Sequence, residues 1–150
     1  ESVIQNQPPE FTEIQWADHQ WMVLGFIDHQ LAAQISLVKR SIEVGKQNIQ
    51  VVGVGGVATH PDWQKNGFAS QLLRETTLLI RNKIQVPFGL LICDDLLASL
   101  YSKNGWQKVA QSLYFWQEGK RCSLHACTMI LQLTAEEWPE GEIDLCGSPW

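Results

Sequence analysis

Apolar and polar positions along the chain follow two periods, and the change from one to the other divides it. From Trp21 to Ile27 the run WMVLGFI has the character of a β-strand. Asp28-His29 makes a turn, and LAAQISLVKRSIEV (31–44) begins a second strand, so the two predict an antiparallel hairpin. Gly45 to Asn48 turns the chain into IQVVGVGGVAT (49–59), a valine-rich third strand interrupted by Gly53, Gly55 and Gly56. Glycine within a strand marks a bulge, or the close approach of another backbone or a ligand.

After His60-Pro61-Asp62-Trp63 the period lengthens. Ala69, Leu72, Leu73, Thr76 and Ile80 fall at i, i+3, i+4, i+7 and i+11, one face of a helix, with Asn66 placed to cap its start. Pro87 opens a short buried strand that ends at Cys93. Asp94 or Asp95 can cap a second helix over 95–104, which Gly105 stops. Segments 106–109 and 112–117, a turn near Glu118-Gly119-Lys120, and 126–133 complete an antiparallel ending. The order β-β-β-α-β-α-β-β predicts an α/β chain of α+β type, with a mixed, mostly antiparallel sheet and two main helices. It has too few alternating βα units for a doubly wound nucleotide fold. At 150 residues a single domain over 1–150 is expected. In it, 1–20 is an irregular or truncated lead-in around Pro8-Pro9, and 134–150 is an acidic tail.

Charge sharpens this picture. The chain has 11 Lys+Arg against 16 Asp+Glu, a formal net charge of −5. No base precedes Lys39 or follows Arg121. Glu1, Glu10, Glu13, Asp18 and Asp28 at one end, and Glu136, Glu137, Glu140, Glu142 and Asp144 at the other, are therefore uncompensated locally. Without a basic tract, nucleic-acid binding is not expected. A basic middle between acidic ends suits an anionic ligand at the centre, with a cationic one nearby. No apolar run reaches 18 residues and no signal peptide is visible, so a cytoplasmic protein without a membrane span is expected. The chain opens at Glu1 without Met, which leaves room for a removed upstream segment. Cys93, Cys122, Cys127 and Cys146 are too sparse for a disulfide scaffold and read as reduced thiols. Cys122, His125 and Cys127 sit close together but lack a fourth ligand at normal spacing, so no metal is expected.

The chemistry concentrates between Val57 and Leu73, VATHPDWQKNGFASQLL. A glycine-bearing loop that leaves a strand and opens a helix gathers unpaired backbone N–H groups at the positive end of the helix dipole. Such an arrangement binds phosphate oxygens with few basic side chains. Gly67 lets a backbone approach the anion, Ala69 leaves room in the first helical turn, and Lys65 adds one charge. It is neither a Walker loop nor a GxGxxG fingerprint.

These residues resemble the GNAT superfamily of acyl-CoA-dependent N-acetyltransferases. Gln64-x-x-Gly67-x-Ala69 is similar to the family's Q/R-x-x-G-x-G/A pyrophosphate loop, preceded by V-A-x-x-P-x-W at Val57 to Trp63. LYSKNGW at Leu100 to Trp106 looks like the family's second helix, ending in Y-x-x-x-G-[FW]. The resemblance covers roughly residues 20–133. Phe11-Thr12-Glu13-x-x-Trp16 and an aromatic after a C-terminal Gly-x-x look like the aminoglycoside 2'-N-acetyltransferase branch. This chain departs from that branch at the central-strand glutamate, where Gly55 stands, and at acids replaced by Gln15 and Ser148. Glu10 is the acidic position retained, and the family's N-terminal strand and helices are short or missing.

The resemblance implies a V-shaped splay between central strands that holds CoA. Backbone from Gln64 through Lys65, Asn66, Gly67 and Phe68 to Ala69 would hold the pyrophosphate of acetyl-CoA. Val57 and Thr59 would pair with the pantetheine amides. Tyr101 would protonate the departing thiolate, since a phenol of ordinary pKa about 10 carries its proton at neutral pH. Glu10, Glu13 and the Trp150 carboxylate, if that is the natural terminus, would bind the acceptor. That acceptor is expected to be a small amine, cationic before transfer, attacked directly with water relaying its proton. His60 is read as a turn residue, Asp94 and Asp95 as helix caps, and Trp63 and Trp106 as structural. Two other readings stand beside this one: a non-catalytic CoA-binding or sensing module, and a peptide or protein N-acetyltransferase. A homodimer is the expected assembly by resemblance.

Overall fold

Strand β1 (Trp21–Ile27) turns back through Asp28 and His29 into β2 (Gln30–Val44) in the computed structural model, which describes residues 14–150. Both turn residues lie at positive φ, 48° and 65°, which fits the twist that a two-residue hairpin turn demands. A turn at Gly45 leads to β3 (Gln47–Thr59), paired with β2 along most of its length. Alternation of side chains across a strand divides β2 between two cores. Ile35 and Leu37 are buried on one face; Ile42 and Val44 are buried on the other. Because both faces of β3 are covered, its valines run together, with Val52 and Val54 on one side and Val51 on the other.

Helix α1 (Phe68–Leu79) continues as a π-type turn to Ile84 and ends on Gln85 at φ 56°. Leu72, Leu73, Thr76 and Ile80 are buried, as their spacing predicts; Ala69 is partly exposed. The chain then crosses back as β4 (Phe88–Cys93), parallel to β3. Helix α2 (Ala98–Ser102) follows a 3-10 turn over Asp95–Leu97, so the expected helix is tighter in its first turn and shorter than 95–104. Gly105 stops it at φ 91°. Both helices pack on the face that holds Ile35, Leu37, Val52 and Val54.

The remaining strands are β5 (Gln107–Val109), β6 (Leu113–Gln117), β7 (Lys120–Leu124), β8 (Cys127–Gln132) and β9 (Ile143–Asp144). Pairing of β5 with β8 and of β6 with β7 keeps a single register, so they form one long hairpin interrupted at 110–112 and 125–126. Its base joins β4 through β8, and its tip joins β9 through β6, while β9 joins the end of β2. The sheet order is β5-β8-β4-β3-β2-β9-β6-β7, with β1 on the first half of β2. The sheet thus curls into a half-barrel bridged by its own hairpin. Phe88, Leu90, Leu113, Phe115, Ile143 and Leu145 fill its concave side.

Two expectations are corrected here. The segment 134–150 is not a loose acidic tail: Ile143 and Leu145 are fully buried, and β9 is inserted between β2 and β6. Its acids also lie away from the gap between β3 and β4. Gly45 N–H donates to the Glu142 carbonyl at 2.8 Å, at the turn end of the sheet. Arg121 holds Glu142 and Asp144 there at 3.2 Å each. In the other correction, Asn66 does not cap α1; Gly67 stands at the cap without a side-chain hydrogen bond.

Candidate functional site

The register between β3 and β4 ends at Val54 and Leu91. Beyond it β3 runs on to Thr59 bonded to β2, while Ile92 and Cys93 stay with β8. This is the V-shaped splay that the resemblance implies. A bulge helps to open it: the β2–β3 register shifts between Ser36↔Gly55 and Gln34↔Ala58, with Gly56 at φ 56°. Backbone groups on the open edge of residues 55–59, including Val57 and Thr59, face no strand. Apart from the Thr59 carbonyl, which the Gln64 side chain meets, they are placed to pair with an extended ligand added as a strand.

The chain after β3 prepares an anion site. His60 Nδ1 accepts from Asp62 N–H at 3.2 Å and shapes the turn over Pro61–Trp63. Gln64 reaches back, its Nε2 donating to the Thr59 carbonyl at 3.0 Å, and ties the loop to the splayed strand. Lys65 and Gly67 both adopt left-handed conformations, φ 68° and 73°. A Cβ on Gly67 would meet nothing within 4 Å, so that position is glycine for its backbone, and the space beside it is open. The first N–H groups of α1, from Phe68 and Ala69 onward, have no intrahelical acceptor. No capping side chain competes for them. They are left for an anion at the positive end of a 12-residue helix.

Tyr101 is 4% exposed on α2, in one cluster with Val54 and Leu91, the last paired residues before the gap. Burial, with the Cys93 sulfur adding to it, pushes its phenol well above the ordinary value, so it carries its proton throughout the physiological range. Cys93 is pushed up to about 12, by burial first and then by Cys127 across the β4–β8 pair. A thiol so disposed is a poor nucleophile at neutral pH. Asp94 accepts from Leu96 N–H at 2.9 Å and is a cap, whereas Asp95 pairs with Lys108 at 2.8 Å. Trp106 is buried against Gly89 and edge-on to Tyr101, 6.3 Å between centroids. Sequence reasoning missed Asn104. Its Nδ2 donates to the Leu100 carbonyl at 2.8 Å and to Ser70 Oγ at 3.2 Å, joining the end of α2 to the first turn of α1. Nothing in the sequence pairs those two residues.

The concave side of the gap is built by the C-terminal segment. A Cβ on Gly53 would overlap the Trp150 indole, and one on Gly55 would come within 3.0 Å of the Trp150 carbonyl carbon. Trp150 Nε1 donates to the Leu90 carbonyl at 3.0 Å. The Arg40 guanidinium lies over the ring at 5.0 Å and donates to the Ser148 and Leu145 carbonyls. Ala17 N–H donates to the Pro149 carbonyl at 2.7 Å, and Trp116 N–H to that of Gly147 at 3.0 Å. Gly55, which replaces the glutamate of the resembled branch, is therefore where Trp150 is seated. Glu10 and Glu13, the carboxylates expected beside it, fall outside the described residues. A separate cavity of about 420 Å³ opens at the hairpin interruption, lined by Lys108, Gln111, Tyr114 and His125, away from the open edge of β3.

A splayed parallel pair, a glycine loop leading into a helix, and a buried tyrosine across the gap define an acyl-transfer fold with room for a phosphate-bearing carrier. The acetyltransferase (GNAT) domain matches residues 3–109, and the chain belongs to that family of N-acetyltransferases. No curated protein is recognisably similar in sequence. Among solved structures, the GNAT family N-acetyltransferase YhbS from Escherichia coli, in complex with CoA, is 17% identical. The match covers 85% of this chain and 68% of that one, with a TM-score of 0.63. A GNAT family acetyltransferase from Brucella melitensis, in complex with acetyl-CoA, is also 17% identical, with 81% and 63% covered and a TM-score of 0.57. This chain spans 23% of a longer GCN5-related N-acetyltransferase from Anabaena variabilis, at 19% identity, 62% coverage of this chain and a TM-score of 0.55. The likeness is one of fold.

Proposed function

We propose that the protein moves acetyl from acetyl-CoA directly to the primary amine of a small acceptor that is cationic before transfer. The carrying observation is the continuity of the open β3 edge with the uncapped start of α1. Pantetheine amides pair with Val57 and Thr59. The pyrophosphate rests on backbone from Gln64, Lys65 and Asn66 through Gly67 and Phe68 to Ala69. The ammonium first loses one proton to water; the neutral amine nitrogen then attacks the thioester carbonyl carbon, and as the C–S bond breaks the thiolate takes the Tyr101 hydroxyl proton. The nitrogen's extra proton passes to water, from which Tyr101 is reprotonated. His60, Asp94 and Asp95 are engaged in local bonds, which favours water over a side-chain base.

Trp150 forms the wall behind the acceptor, and Glu10 and Glu13 join it on sequence grounds. Assembly as a homodimer and a cytoplasmic setting complete the reading. No helix among the described residues is long and apolar enough to cross a membrane. The test is thiol release from acetyl-CoA against a panel of amines. Turnover with at least one amine is expected, and full activity in Tyr101→Phe would remove that residue from the mechanism.

A further inference from the structure

The pyrophosphate loop and α2 both approach the gap from the helix-covered face, so an acceptor has the concave face as its approach. At its β1 margin that face carries apolar side chains. Val23 and Gly25 of β1 point to α1, where a Cβ on Gly25 would meet Phe68 at 2.9 Å. By alternation Met22 and Leu24 point the opposite way. Met22 lies across from Ser36, which lies across from Gly55, so the three form one row ending at Trp150. Leu24 heads the next row with Gln34 and Ala58. Met22 and Leu24 are 40% and 44% exposed, and Phe26 beyond the β1 bulge is 58% exposed. In a sheet whose other apolar positions are mostly covered, this is a shelf of large apolar side chains left open beside the gap.

Charge among the described residues of the same face argues against a polycation. Arg40 is the ionised side chain packed on Trp150. The acids Glu142 and Asp144 are spent on Arg121 at the turn end of the sheet. From the shelf, its continuity with the gap and this charge pattern, we infer that the acceptor is a single amine carried on an apolar body. Alkyl or aromatic groups lie on Met22 and Leu24 with Trp150 behind them, and the nitrogen points into the gap. This rests on the acetyl-transfer reading for the reaction, but it concerns binding.

The test is calorimetric titration of the CoA-loaded protein with n-alkylamines of increasing length and with the triamine spermidine, at physiological salt. Full burial of a methylene strengthens binding roughly fourfold, so on a half-open shelf affinity should rise about twofold per methylene. It should flatten in Met22→Ser/Leu24→Ser, with CoA affinity and melting temperature unchanged. Spermidine should bind no better than a short alkylamine. A flat series in the wild type, an unchanged slope in the variant, or tighter binding of spermidine overturns the inference. So does a shelf buried between two copies, seen as a dimer that the double variant dissociates and that binds no amine. Turnover assays on the same amines separate the two readings. A binding gradient without acetyl transfer removes the catalytic reading alone, and acetyl transfer without a gradient removes the shelf alone.

Discussion

Gly67 and Gly53 border the same gap and are glycine for different reasons. Gly67 is free of neighbours and needs a left-handed backbone, which turns the loop so that helix N–H groups face outward. Gly53 sits in a strand and needs the absence of a Cβ, because the Trp150 indole occupies that space. The helix-covered side of the gap is thus made by local backbone conformation, and the concave side by a residue distant in sequence. The residues proposed for the site follow the same division. Tyr101 is delivered by a short helix directly after β4, whereas Trp150 arrives only after the chain has bridged the half-barrel.

Removing the acid should give the largest effect. General acids contribute about 10²- to 10⁴-fold, so Tyr101→Phe should lower kcat by that order while leaving the Kd for CoA unchanged. Stopped-flow thiol release and calorimetry check both halves. The concave side should break through stability instead. Leu145→Ala removes a fully buried side chain from the core that holds Phe115 and Ile143 and should cost about 2–5 kcal/mol in denaturant unfolding.

Those two variants mark where the sequence was legible. The strands to Thr59, the face of α1 and the stop at Gly105 depend on local period and turn chemistry, and all were readable. So were the splay and the loop, once the motif resemblance was stated. Residues 134–150 were not, because Ile143 and Leu145 make too short an apolar pair to announce a strand, and β9 exists only between two preformed neighbours. Gly55 was visible as a departure from the resembled branch, but the residue that occupies the space beside it, Trp150, comes 95 positions later in the numbering. Asn66 was misread for a related reason. Composition favours asparagine as a cap, yet here the left-handed turn at Lys65 and Gly67 moves the cap one residue on.

Single methyl groups sharpen the contrast between the two glycines. Gly53→Ala should displace the indole from Leu90 and cost about 1–3 kcal/mol of stability with CoA affinity preserved, since overpacking is a core effect. Gly67→Ala meets no neighbour and strains only the backbone, by about 1–2 kcal/mol. Because that strain is relieved by leaving the left-handed region, it should appear mainly as roughly tenfold weaker CoA binding. Equal effects of both on CoA affinity would abolish the distinction.

The effect of pH is absent near neutrality, and its sign above that follows from which state holds the proton. Cys93 is raised from 9.0 to about 12 in the folded protein, chiefly by burial. Above pH 9 the unfolded chain therefore loses this proton while the folded one keeps it, so stability falls as pH rises from 9 toward 12. Below pH 9 both states are protonated and the contribution is constant. Cys93→Ala should make the upper limb of the stability curve shallower without moving the plateau near neutral pH, as read by urea unfolding across that window. Tyr101, raised in the same direction, should leave a residual decline that starts near pH 10 and persists in the alanine variant. Its disappearance together with that of Cys93 would mean that the phenol is solvated in the folded state and that the helix-covered side of the gap is not closed around it.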